Sequence, residues 1–267
     1  MTVTKQPKVS FIIPTLNSSR TIRACLESIA NQDYSDFEII VIDGYSKDDT
    51  IKITREYSSE IYCSEKSYSE CRQLGIERAR GEILACFDSD IILPHTNWVR
   101  KAVNRFLEGN GADVVWPLQI PRAHAPWLNR AYLREQWGII QHRVRNGVKP
   151  LGGSNALFSK SCLDRFIDTF GGFQTGMQTF DDFYLANRLM KLNCRVVLYG
   201  DPVIHDTHIS LREIVNKQRE RARYFKKFGP EQALGIPLRE LLYEYLPLSF
   251  VLAFRGVFSD KDWAALM

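Results

Sequence analysis

An α/β fold with a doubly wound, mostly parallel sheet is predicted from the sequence, on three observations. Over roughly the first ninety residues, four short apolar runs alternate with stretches of helical periodicity. Three of those runs break off into polar loops, at Thr15-Leu16-Asn17, Asp43-Gly44 and Asp88-Ser89-Asp90. Parallel strands joined by crossover helices collect such loops at the carboxyl edge of one sheet, where open α/β folds bind their ligands.

The elements follow in order. Val9 to Pro14 is a β-branched run, and Ser18 or Ser19 is placed to cap a helix whose apolar face is Ile22, Leu26 and Ile29. Phe37 to Ile42 is a second buried strand, followed by a helix from Asp48 or Asp49 to Tyr57. Glu60 to Cys63 is a third. Ser67-Tyr68-Ser69-Glu70 is a capping box that opens a helix running to Arg80. Glu82 to Phe87 is the fourth strand.

After a helix from Asn97 to Leu107 the rhythm changes. Asp113 to Ile120 reads as a strand, Trp127 to Val144 as a long amphipathic helix, and Phe180 to Leu192 as another helix. Leu151 to Phe158 carries glycines. Arg195 to Tyr199 and Pro202 to Ile204 read as two short strands, and Ile209 to Phe228 has apolar residues at helical spacing with arginines to one side. The expected organisation is a catalytic unit over 1–208, with halves at 1–93 and 94–208, and a C-terminal helical extension over 209–267.

Composition is that of an ordinary globular chain, 45% hydrophobic and 25% charged over 267 residues. The net charge of +4 is small, and no nucleic acid is expected among the partners; between Arg212 and Lys227, however, seven basic residues face two acidic ones. Six cysteines with no C-x-x-C pair read as buried free thiols in a reducing compartment. There is no signal-like N-terminus, and no apolar run reaches the about 18–20 residues that span a bilayer. The expected location is cytoplasmic, peripheral on the cytoplasmic face of the membrane.

The chemistry concentrates at Asp88-Ser89-Asp90. Residues i and i+2 of an extended segment face the same way, so both carboxylates can converge on a hard cation such as Mg²⁺ or Mn²⁺, which also binds diphosphate. The competing reading is a helix N-cap at Asp90. Asp43 is placed to accept from a base N–H or a ribose hydroxyl, and Arg72 to pair with phosphate. Taken singly, Asp43-Gly44 also reads as a plain turn and Arg72 as a solvated helix residue. Neither G-x-G-x-x-G nor G-x-x-x-x-G-K-[ST] follows the first strand, which disfavours dinucleotide oxidoreductases and P-loop phosphotransferases.

Four segments in succession, VSFIIPTLNSSRTIRACLESIANQ, FEIIVIDGYSKDDT, CRQLGIERARGEILACFDSD and FDDFYLANRL, resemble the motifs of the family 2 nucleotide-sugar glycosyltransferases of GT-A fold, including membrane-associated members that act on polyprenol or glycolipid acceptors. The resemblance runs from about Val9 to His208. It implies a donor site at Pro14, Thr15, Asn17, Asp43, Arg72, Asp88 and Ser89, with Asp90 the more direct metal ligand beside Asp88. The common Asp-Asp-Gly-Ser loop reads Asp43-Gly44-Tyr45-Ser46 here. Ile92 stands where dolichyl-phosphate mannose synthases carry a metal-binding glutamine, which leaves His205 or His208 as the further ligand.

On the acceptor side, Gly152, Gly153 and Ser154 of the Leu151 to Asn155 segment resemble the family's glycine segment, where lack of Cβ lets a sugar approach the backbone. Asp181 and Asp182 match the acidic pair that holds the catalytic base, with Asp182 the base and Asp181 a helper or helix cap. Gln218 to Ala222 loosely resembles the Q-x-x-R-W element of polysaccharide synthases and makes Arg221 an acceptor-side candidate, although Ala222 stands in place of the tryptophan. The implied activity is inverting, metal-dependent transfer of a hexose from GDP-mannose or a UDP-sugar to a hydroxyl or phosphate of a lipid-linked or glycan acceptor. A nucleotidyltransferase or a non-catalytic carbohydrate-binding protein are the alternatives. The apolar, aromatic-bearing stretch from Leu238 to Trp263, preceded by the basic helix, suits a bilayer interface; packing onto the sheet or a dimer contact is the other reading.

Overall fold

A computed structural model describes residues 6–108, 111–133, 155–177 and 181–213, together with Asn216, Arg219 and Arg223. The sheet has eight strands in the order β3-β2-β1-β4-β7-β6-β8-β5, where the strands are β1 (Val9–Thr15), β2 (Phe37–Asp43), β3 (Glu60–Cys63), β4 (Ile83–Cys86), β5 (Ile91–Ile92), β6 (Val114–Pro121), β7 (Ala156–Ser159) and β8 (Val196–His205). The first four are mutually parallel, as the strand–helix alternation predicts. Beyond β4 the sheet is mixed: β7 is antiparallel to both β4 and β6, and β5 is antiparallel to β8.

Side chains alternate across a strand, and here both faces are covered, so the inner strands read as unbroken apolar runs. Phe11, Ile13, Val41 and Ala85 face α1 (Ile22–Ala30) and α4 (Trp98–Leu107). Their neighbours Ile12, Ile40, Ile42 and Leu84 face the other way. They pack with α3 (Tyr68–Arg78), α5 (Lys160–Phe170) and α6 (Asp181–Lys191).

Helix α3 lies unusually close to the sheet. A Cβ built on Gly75 would stand 2.3 Å from Ile12 Cγ2, so only glycine allows this approach. Tyr68, Arg72 and Gly75 lie on one helical face, and the contact at Gly75 presses the two polar side chains against the strand edge. The predicted capping box is present, with Glu70 accepting from the Ser67 backbone N–H at 3.3 Å.

Several boundaries differ from expectation. The α1 cap position is Thr21, without a side-chain cap bond, because Ser18 carries its carbonyl, not its hydroxyl, to the Thr21 and Ile22 N–H groups. Helix α2 (Thr50–Thr54) is shorter than predicted. The two short strands expected after Arg195 are one strand, β8, which runs past a register shift between Pro117 and Gln119 of β6. Helix α5 was not foreseen. Cys63 is exposed, contrary to the expectation of buried thiols, while the other five cysteines are buried. The expected helix from Trp127 is helical over 127–133, and its remainder, like residues 224–267, lies outside the described residues.

Candidate active site

The carboxyl ends of β1, β2 and β4, the first turns of α3 and α6, and the end of β8 border one cleft of about 750 Å³. Pro14, Thr15, Asn17, Arg72, Asp88, Ser89, Asp90, Asp181, Asp182, His205 and His208 all line it, together with Lys66 and Tyr68. Residues assigned from separate motifs therefore meet in one place. Gly152, Gly153, Ser154 and Arg221 lie outside the described residues.

The wall formed by the β1 and β2 loops is stitched by backbone bonds. Thr15 pairs with Asp43 at the strand ends, and the Gly44 N–H donates to the Thr15 carbonyl at 2.8 Å. Asn17, at φ 50°, accepts from the Lys47 N–H at 2.8 Å and donates its own N–H to Ser46 Oγ at 2.8 Å. Asp43 does not line the cleft. It is buried, and its oxygens accept from the Ser46 N–H at 2.8 Å and Oγ at 2.6 Å, so it shapes the turn. Thr15 Oγ1 is buried and has no hydrogen-bond partner among the described residues, although it is a polar group at the cleft wall.

At the centre stands Arg72, only 1% exposed. Its Nη1 lies 2.6 Å from Asp181 Oδ2, and its Nη2 lies 3.5 Å from Asp88 Oδ1 and 3.3 Å from the Tyr68 hydroxyl. Tyr68 also donates to Asp88 Oδ1. Arg72 is thus a buried cation clamped between the acid that ends β4 and the acid that begins α6, and not the solvated residue that helical position alone would suggest. Burial works against its charge, but Asp181 and the other flanking groups outweigh it and keep the guanidinium protonated more firmly than usual. Burial pushes the Asp181 carboxyl up from its ordinary range, and Arg72 pulls against that shift. Asp182, next in the chain, is half-buried and opens onto the cleft.

Asp90 is not a helix cap, since α4 begins at Trp98 with Asn97 in the cap position. Strand β5 pairs with β8 so that Ile91 faces His205, and the Asp206 N–H donates to the Asp90 carbonyl at 2.8 Å. That pairing places His205 Nε2 3.2 Å from Asp90 Oδ2. Ligand atoms of Asp88, Asp90 and His205 lie within 4.8 Å of one another, close enough to share one cation. Two carboxylate oxygens and an imidazole nitrogen are a donor set that suits Mn²⁺ or Mg²⁺. His208 lines the same cleft but sits apart from this group, with its Nε2 3.5 Å from Asp206 Oδ1. Sequence reasoning missed Tyr68 and grouped Asn155 with the acceptor side, whereas Asn155 bonds to Asp88.

Comparison with known proteins fits this geometry. Residues 10–167 match the family described as Glycosyl transferase family 2. The chain is 37% identical over 119 residues to the glycosyltransferase AglE of Haloferax volcanii, covering 41% of this chain and 38% of that protein. It is 30% identical over 145 residues to the chondroitin synthase of Pasteurella multocida, covering 50% of this chain and 15% of that one. The matched stretch therefore spans less than half the length of these curated relatives. Among solved structures, the mannosyltransferase PcManGT of Pyrobaculum calidifontis, in complex with GDP-Man and Mn²⁺, superposes with a TM-score of 0.62 at 21% identity, covering 98% of this chain and 79% of that one. Glucosyl-3-phosphoglycerate synthase of Mycobacterium tuberculosis, in complex with Mn²⁺ and uridine-diphosphate-glucose, gives 0.61 at 19% identity over 86% and 80% of the two chains. At these identities the likeness is one of fold. No helix among the described residues is long and apolar enough to cross a membrane.

Proposed function

The chain belongs to glycosyl transferase family 2, and on that premise we propose that it moves a hexose from a nucleoside-diphosphate sugar, GDP-mannose or a UDP-sugar, to a hydroxyl or phosphate of a lipid-linked or glycan acceptor, with inversion at the transferred carbon. The observation that carries this reading is the presence, in one cleft, of the Asp88, Asp90 and His205 cluster and of the Asp181-Asp182 pair.

In this reading Asp90 and His205 would hold a divalent cation, with Asp88 beside them. A divalent ion held by these residues would supply positive charge to offset that of the departing diphosphate. Thr15 and the backbone of the Pro14 to Asn17 loop bound the nucleoside, and the unpartnered Thr15 hydroxyl is a hydrogen-bonding group for it. Arg72 adds a fixed positive charge beside Asp88, where the leaving group gathers its own, so its stabilisation grows toward the transition state. Asp182 removes the proton from the acceptor hydroxyl as that oxygen attacks from the face opposite the leaving group. Asp181, tied to Arg72, holds the first turn of α6 so that Asp182 projects into the cleft. The basic segment after Ile209 and the apolar stretch beyond Leu238 suit an acceptor carried at a membrane surface.

Calorimetric titration with GDP and with UDP tests the donor half of this reading. Binding should be tighter by at least tenfold with Mn²⁺ or Mg²⁺ than with EDTA for one of the two nucleotides, and Asp90→Ala should remove the difference. Equal affinity with and without metal for both nucleotides would overturn it.

A further inference from the structure

We propose that Asn155 is the positioning residue that fixes Asp88 in the metal cluster, tying the β7 edge to the donor loop. The inference rests on the metal reading above and deepens it. Asn155 directly precedes β7, whose pairing sets Ala156 opposite Cys86, so Asn155 stands across from the end of β4. It is 1% exposed and holds a left-handed backbone at φ 56°. Both ends of its amide grip the same residue: Oδ1 accepts from the Asp88 N–H at 2.7 Å, and Nδ2 donates to Asp88 Oδ2 at 2.8 Å. The orientation of the amide is fixed by chemistry, because an N–H can only donate and a carboxylate only accept. Nδ2 also reaches Gln119 Oε1 on β6 at 3.4 Å.

Asp88 is thereby held on both sides. Oδ2 receives Asn155, while Oδ1 receives Tyr68 and, at 3.5 Å, Arg72. A carboxylate has about four lone-pair sites, so these bonds leave it capacity toward Asp90 and His205 while fixing the plane in which that capacity points. A left-handed residue before a strand needs only the backbone freedom of glycine or asparagine. The turn alone therefore does not require the amide; the grip on Asp88 does.

Asn155→Gly separates the two roles, since it keeps the backbone conformation without strain and removes the amide. Free Mn²⁺ is followed by electron paramagnetic resonance as protein is titrated in the presence of UDP or of GDP, and folding is checked by thermal denaturation. Loss of a residue that orients a metal ligand costs about 10- to 100-fold in metal affinity, and that weakening is expected in Asn155→Gly. Asn155→Asp keeps the size of the side chain and its tolerance of the turn, but sets an oxygen against Asp88 Oδ2. Because its added negative charge also attracts the cation, it is read only for stability; Asn155→Ser, which removes the amide without adding charge, should weaken Mn²⁺ binding about tenfold or more and serves if the glycine variant does not fold. Wild-type affinity in the folded variants would overturn the inference and leave the metal reading standing. A wild-type protein that binds no Mn²⁺ with either nucleotide would overturn both.

Discussion

Replacing Asp182 with asparagine is expected to lower turnover by about 10²- to 10⁴-fold, the usual contribution of a positioned general base, while leaving metal-dependent nucleotide binding within about twofold of wild type. Asparagine keeps the size of the side chain and cannot take a proton. Both acids line the cleft, but Asp181 is buried against Arg72 at 2.6 Å while Asp182 is half-buried, which favours Asp182 as the proposed base. Steady-state kinetics together with calorimetry separate the two effects. If Asp182→Asn keeps near-normal turnover and Asp181→Asn does not, the roles of the two acids are reversed.

The second large effect is on stability. Arg72→Met keeps much of the volume and removes the charge, which leaves Asp181 without its close counter-ion and Asp88 without its buried cation. Breaking a buried pair from one side costs about 3–5 kcal/mol, and at this chain length that corresponds to a fall in Tm on the order of 10 °C. The loss should depend on pH. Burial already raises the Asp181 carboxyl above its ordinary range, and removing Arg72 takes away the largest influence against that rise, leaving only backbone hydrogen bonds to oppose it. A raised carboxyl stabilises the fold while it is protonated, and that contribution is lost as pH climbs through the folded-state value. The gap between variant and wild type should therefore be narrow near pH 4 and wide at neutral pH. Equal Tm values at pH 7 would show that the pair contributes nothing to holding β4 and α6 together.

What was legible in the sequence divides along the range of the interactions involved. The three inner parallel strands, β1, β2 and β4, could be read because each is buried on both faces, so local composition alone reports it, whereas β3 lies at the sheet edge and is only partly buried. The Asp-x-Asp pair was legible as chemistry because both acids follow one strand end. Helix α5 left local signals that were passed over: Ser159 accepts from the Cys162 N–H at 3.3 Å in the cap position, and Gly171 ends the helix at φ 74°. Other features were not locally encoded. His205 reaches Asp90 only because β5 pairs antiparallel with β8, and Asn155 reaches Asp88 only through the pairing of β7 with β4. Arg72 taken singly also reads as solvated on its helix, whereas in the fold it is 1% exposed and paired with Asp181, on the same helical face as the close approach at Gly75. The tie of Asp43 to Ser46 is local and fits the turn reading, while the same acid in the same loop also reads as a ligand acceptor.

If the proposed transfer takes place in this cleft, the bond broken is the one between the sugar and the diphosphate. Phosphorus NMR of the protein incubated with Mn²⁺, a panel of nucleotide sugars and a polyprenyl-phosphate extract reads that bond directly. A nucleoside diphosphate should appear in step with glycosylated acceptor in the wild-type protein, and neither product should form with Asp90→Ala. Release of a nucleoside monophosphate or of a sugar 1-phosphate instead would place the cleavage within the diphosphate and rule out glycosyl transfer at this site.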